Sequence, residues 1–287
     1  MKNSKISSPP ASLARRIGSL VYHSLVTPEE KANWTPKPGW AAPLPKDFAR
    51  HMEILADMGA NPITYDQLYD WHRGMIELPA GSLTIDFDNV HISQYRDAYP
   101  VLQKHGWVAN LMVNTEAPTT DDADPSRYIM TWKEISKLHQ QGWGICSHTH
   151  THKQMSLLAD QDPTGGSMDR EFTTSIKMIE KHVGITTHHF AYVGRGWNEL
   201  AESIVKRYFR TARLWVANMP YLLGGGKEIP VGEILGAGSR LEVDAGPPVA
   251  SRYLTRQSNP LRVPGVDACN LPFTTEGMRS YLSGLFQ

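Results

Sequence analysis

Residues 83–113, LTIDFDNVHISQYRDAYPVLQKHGWVANLMV, decide the architecture. The apolar run Leu83–Phe87 reads as a strand, the amphipathic stretch Gln94–His105 as a helix, and Val108–Val113 as a second strand. Strand, helix and strand in that order make a crossover between parallel neighbours. The rhythm continues on both sides. Upstream lie a strand at Ser19–Tyr22, a helix over Asp47–Met58 and a short strand at Pro62–Thr64. Downstream come a helix over Trp132–Gln141, a strand at Gly144–Ser147, a long helix over Asp169–His182, a strand at His189–Tyr192, a helix over Asn198–Tyr208 and a strand near Ala212–Val216. Such alternation predicts an α/β fold with a parallel sheet that is closed or nearly closed, a distorted (β/α) barrel without an internal linker.

The 287 residues suffice for one such barrel. Residues 1–16 are polar, with Pro9 and Pro10, and read as a flexible N-terminal arm; residues 17–287 form the single domain. Two segments exceed ordinary connectors, 25–46 with Trp34 and Trp40, and 218–250, rich in Gly and Pro. On a barrel, long loops either shape the mouth of a site or decorate the surface. Lys plus Arg and Asp plus Glu both number 29, so nothing in the charge balance points to nucleic acid, and a neutral substrate is the easier match. The two cysteines, Cys146 and Cys269, form no metal-binding cluster and read as reduced. Neither a secretory leader nor a membrane span is visible, which gives a cytoplasmic expectation, or a secreted one if the chain was trimmed. Oligomeric state is not legible.

The sharpest chemical signal is Ser147-His148-Thr149-His150-Thr151-His152, directly after a strand. Histidines four apart on such a loop can converge on one divalent ion, so His148 and His152 are the ligand candidates; a surface cluster is the bland alternative. The second signal is Asp86-Phe87-Asp88-Asn89, which closes the LTIDF strand. Carboxylates at the end of an apolar strand either serve a metal-activated water or cap the next helix.

These motifs, with Asp97-Ala98-Tyr99-Pro100-Val101-Leu102 and Phe190-Ala191-Tyr192, resemble the NodB-homology polysaccharide deacetylases, carbohydrate esterase family four, in that family's order. Tyr22-His23 and Asn259-Pro260-Leu261-Arg262-Val263-Pro264 are similar to segments of the subgroup acting on poly-N-acetylglucosamine, and the likeness runs from about Ile17 to the C-terminus. The resemblance implies a metal-dependent N-deacetylase acting on an N-acetylated carbohydrate, with zinc as the first ion and cobalt or nickel as alternatives. A gap-free alignment sets Asp88 on the family's general base and Asn89 on its metal-binding Asp, a departure that removes one negative charge. A shifted alignment makes Asp86 the base and Asp88 the ligand.

The third motif is altered to Tyr192-Val193-Gly194-Arg195-Gly196, with Gly194 where the family's oxyanion-holding N–H lies and Arg195 as a further candidate. No histidine follows His189, so the acid that protonates the leaving amine falls to His23, with His150 behind it. Tyr192, Trp34, Trp40, Trp197 and Trp215 are the candidates for contact with sugar rings. Two rival readings stay open: a catalytically silent carbohydrate-binding protein on the same fold, and a hydrolase of a small non-polymeric amide.

Overall fold

The computed structural model describes residues 12–33, 43–120, 127–194, 196–216, 252–268 and 275–287. Seven strands close into a parallel barrel: β1 (Arg16–Tyr22), β3 (Ser82–Asp88), β4 (Asn110–Val113), β5 (Gly144–Ser147), β6 (His189–Ala191), β7 (Thr211–Val216) and β9 (Val263–Asp267), which returns to β1. Two short strands lie outside this ring. β2 (Asn61–Pro62) continues the β4 edge along the start of β3, and β8 (Leu254–Thr255) runs antiparallel to the start of β1. Every residue of β3 is buried, as a strand covered on both faces requires.

Alternation along the strands sorts the side chains into two environments. On the outer face Leu83, Ile85 and Phe87 pack under Phe48, Met52 and Leu55 of helix α2 (Pro45–Asp57), after the short α1 (Pro28–Asn33), and beside Ile135 and Leu138 of α5 (Trp132–Gln140). A second outer layer joins Phe190, Tyr192 and Leu214 to Phe172 of α7 (Gly166–Val183) and to Ala201, Ile204 and Val205 of α8 (Glu199–Tyr208). Inside the barrel Ile17, Met112, Cys146, Ala191 and Val263 meet Tyr65, Leu68 and Trp71 of α3 (Tyr65–His72), which plugs the floor. Thr64 caps α3 reciprocally with Gln67: its hydroxyl accepts from the Gln67 N–H at 3.3 Å, and Gln67 Oε1 accepts from the Thr64 N–H at 2.9 Å.

The structure corrects the single helix expected over Gln94–His105. Residues Gln94–Ala98 form a π turn that passes into α4 (Tyr99–Lys104), and Pro100, which has no N–H to donate, sits in the first turn of α4 where none is needed. Helices α6 (Met155–Gln161) and α9 (Thr275–Ser283) were not anticipated. Within the expected arm Ala14 is buried, and its N–H donates to Leu78 O at 2.8 Å. Of the two long segments, 34–42 and 217–251 lie outside the described residues, as does Cys269, while Cys146 is a buried free thiol. No helix among the described residues is long and apolar enough to cross a membrane.

Gly265 shows how tightly the interior is filled. A Cβ there would stand 2.6 Å from Leu214 O and 2.7 Å from Arg213 Cδ, so the glycine makes room for the Arg213 stem. Gly265→Ala is expected to cost roughly 1–3 kcal/mol by overpacking, read as a thermal midpoint several degrees lower.

Candidate active site

Parallel strands direct all their C-terminal ends to one rim, where barrel enzymes carry their chemistry. Here the rim receives His23 just past β1, Asp88 at the end of β3 and His148 just past β5. The Asp88 carboxylate is divided between two tasks. Its Oδ1 accepts from the Arg213 guanidinium of β7 at 2.6 Å; its Oδ2 faces His23 Nε2 at 3.7 Å and His148 Nε2 at 4.0 Å. The His152 ring lies 5.0 Å from that of His148, centroid to centroid, and the residue is exposed, whereas His148 is buried.

Electrostatics assign the protonation states. Burial alone would raise the Asp88 pKa, but Arg213, His148 and His23 outweigh it and hold the carboxyl below its ordinary range. Burial also pulls the His148 imidazole down to about 3, so the ring is neutral. Its Nδ1 lies 2.9 Å from Ala191 O, a geometry in which Nδ1–H donates and Nε2 keeps a bare lone pair turned toward the site. The loops that carry these groups are strained: Asn89, Val90, Thr149 and His152 have φ of 70°, 47°, 70° and 57°. Left-handed backbone at a β-branched residue such as Val90 costs about 1–3 kcal/mol and clusters at functional sites.

Residues 76–211 match the polysaccharide deacetylase family. The resemblance read from the motifs therefore stands, and the barrel is of the polysaccharide deacetylase type. YxkH of Bacillus subtilis (strain 168), itself a candidate polysaccharide deacetylase, is 27% identical over 155 residues, covering 54% of this chain and 51% of its own. The chain thus spans about half the length of that curated relative. Among solved structures, IcaB from Ammonifex degensii is 17% identical with a TM-score of 0.64, over 95% of this chain and 98% of that one. The BpsB deacetylase domain from Bordetella bronchiseptica is 15% identical with a TM-score of 0.58, over 91% and 98%. The Streptococcus pyogenes deacetylase PplD is 22% identical with a TM-score of 0.58, over 69% and 83%. At these identities the structures establish a shared fold.

On this deacetylase-type barrel the other sequence candidates sort by position. Asp86 stands deeper than Asp88, wholly buried, with Oδ2 accepting from Ser19 Oγ and Tyr65 Oη at 2.8 Å each; the shifted register, which would make it the base, is corrected because it does not reach the histidines. His150 turns its Nδ1 to Thr115 Oγ1 at 3.0 Å, and its backbone N–H donates to Glu171. Tyr192 is corrected as a sugar contact: its ring is 1% exposed and packs edge-on against Phe190. Trp197 donates to Glu202 Oε2 at 2.6 Å and carries the Arg262 guanidinium 5.1 Å over one face. Trp215 stands at the mouth, its ring 6.0 Å from His23 and its Nε1–H donating to Asp267 Oδ2 at 3.0 Å. Gly194 occupies the turn after β6 at φ 53°, a conformation that favours glycine. Trp34, Trp40 and Arg195 lie outside the described residues.

Sequence reasoning missed Arg213, Tyr65 and Asp267. Arg213 was detectable, because a lone cation inside the apolar strand Thr211-Ala212-Arg213-Leu214-Trp215-Val216 must find buried partners. Among the described residues no three His, Cys, Asp or Glu side chains form a ready metal cluster. The donors at hand are two imidazoles and an amide oxygen, for Asn89 Oδ1 is buried with no hydrogen-bond partner. A neutral imidazole with an oriented Nδ1 and an orphaned amide oxygen are groups able to hold a divalent ion.

Proposed function

We propose that the protein is a metal-dependent hydrolase that removes N-acetyl groups from an amino sugar, oligosaccharide or polysaccharide. The observation that carries this reading is the Asp88 carboxylate, tied on one oxygen by Arg213 and open on the other toward His23 and His148 at the barrel mouth. The polysaccharide deacetylase family match and the deacetylases of the same fold support this reading.

His148, His152 and Asn89 would hold the ion, zinc first and cobalt or nickel in its place. When bound it supplies positive charge that polarises an acyl carbonyl and acidifies a water. Asp88 Oδ2 takes the proton of the attacking water, since its partner Oδ1 is already committed to Arg213. The Gly194 N–H would hold the developing oxyanion. His23, held between Asp88 and the Trp215 edge, delivers a proton to the amine nitrogen as the C–N bond breaks. His23→Gln is expected to lower kcat about 100-fold with KM little changed, as loss of a general acid does; an unchanged kcat would return the acid role to another group.

Acetate release from chitooligosaccharides, set against a panel of small N-acetyl compounds, tests the assignment. The expected result is turnover of the sugars. Turnover of non-sugar amides alone overturns the carbohydrate assignment, and binding of sugars without any acetate released favours the silent binder.

A further inference from the structure

Between the barrel floor and the proposed base runs a chain of buried polar contacts whose lower half no step above uses. Tyr65, on the floor helix α3, donates to Asp86 Oδ2 at 2.8 Å; Asp86 stands 3.5 Å from Arg213 Nε; Arg213 donates to Asp88 Oδ1 at 2.6 Å. All four are buried. Asp86 is held from two further sides, by Ser19 Oγ at 2.8 Å and by Asn110 Nδ2 at 3.3 Å. The Arg213 stem rests where Gly265 has no side chain, and Asp86, at ion-pair distance from Nε, is the second carboxylate that faces the guanidinium among the described residues.

The cost of this arrangement argues that it is not filler. The surrounding interior is apolar, with Ile17, Met112, Cys146, Ala191 and Val263 beside Tyr65. Burying a second carboxylate there costs several kcal/mol in desolvation, and apolar residues of similar volume often stabilise a core better than a buried ion pair. Two carboxylates on one guanidinium also share its field, so Asp86 keeps Arg213 in place and leaves Asp88 with part of its charge rather than all of it. Rotation of the Asp88 carboxylate decides whether Oδ2 points at His23 and His148, and Arg213 holds the opposite oxygen from below.

We propose that Tyr65, Asp86 and Arg213 form one positioning unit for the proposed base, in which α3 of the barrel floor fixes the aim of Asp88 at the rim. This rests on the deacetylase reading of the site. Tyr65→Phe is the decisive variant, since it removes one hydroxyl and keeps the ring in the floor, and Asp86→Asn is its companion. Acetate release from a chitooligosaccharide should show kcat reduced about tenfold in Tyr65→Phe and further in Asp86→Asn, with KM within about twofold of the parent, because a slightly misaimed group costs rate and not binding. The double variant should be no slower than Asp86→Asn alone, the mark of residues acting in series. A merely structural floor residue would lower the thermal midpoint and leave kcat of the folded protein unchanged; that outcome, or losses that multiply in the double variant, overturns the proposal. Asp88→Asn and the parent are run alongside. An active parent that depends on Asp88, with Tyr65→Phe at full rate, refutes the positioning unit alone, whereas an inactive parent or an Asp88→Asn that still turns over refutes the functional reading and the unit with it.

Discussion

Asp88→Asn is expected to lower kcat for acetate release by about 1,000-fold while leaving sugar binding intact, the scale of losing a general base. The amide is nearly the size of the carboxylate, so the pocket keeps its shape. What changes is charge: Arg213 loses its close anionic partner, and no lone pair of comparable basicity faces His23 and His148. Because Asp86 still stands 3.5 Å from Arg213 Nε, the buried cation keeps one counter-charge and the variant should fold. The complementary change separates the two registers read from Asp86-Phe87-Asp88-Asn89. Asp86→Asn should retain more activity than Asp88→Asn, since Asp86 reaches Arg213, Ser19, Tyr65 and Asn110 but not the histidines.

The second large effect is expected at His148. Its ring is buried, neutral and oriented by Ala191 O, with Nε2 turned toward Asp88, so His148→Ala removes the best-prepared donor of the proposed ion. Loss of a ligand or its orienting partner typically costs 10- to 100-fold or more in metal affinity. Titration of the purified protein with zinc, followed calorimetrically, should therefore show affinity reduced by at least about 100-fold relative to the parent. His150→Ala, one histidine removed in the same run, should leave affinity unchanged because its ring is engaged by Thr115. Equal affinity in the parent and His148→Ala would remove His148 from the ligand set.

How much of this was legible in the sequence depended on whether a residue's environment follows from its neighbours along the chain. The strands at Leu83–Phe87, Val108–Val113, Gly144–Ser147 and Ala212–Val216 were readable because barrel strands are buried on both faces and appear as apolar runs. The last barrel strand, β9, was not, since Pro264 and Gly265 look like breakers; Gly265 is there for the Arg213 stem, which only the closed barrel reveals. Helix α3 carried its signal in plain view, Thr64 followed three residues later by Gln67, but no element is expected from the sequence between Thr64 and Leu83.

The site divides the same way. Asp88 and His148 were legible as candidates because they stand at strand ends, where a barrel gathers its chemistry, and His152 through its spacing from His148. Tyr192 was misread for want of applying alternation: it shares a face with Phe190, and that face is roofed by α7 and α8, while the intervening Ala191 turns inward and lends its carbonyl to His148. Tyr65 lies 21 positions from Asp86 and Arg213 125 from Asp88, and no motif announces either contact. Long-range closure of the barrel, rather than any motif, assembles them.

The central claim is that His148 and His152 grip one cation beside the ionised Asp88. Diffraction from zinc-soaked crystals, recorded at the zinc absorption edge, tests it most directly. One anomalous peak is expected at the barrel mouth within bonding distance of His148 Nε2 and a His152 ring nitrogen, with Asn89 Oδ1 completing the protein ligands. A peak elsewhere on the chain, or none while the two imidazoles diverge, would contradict it.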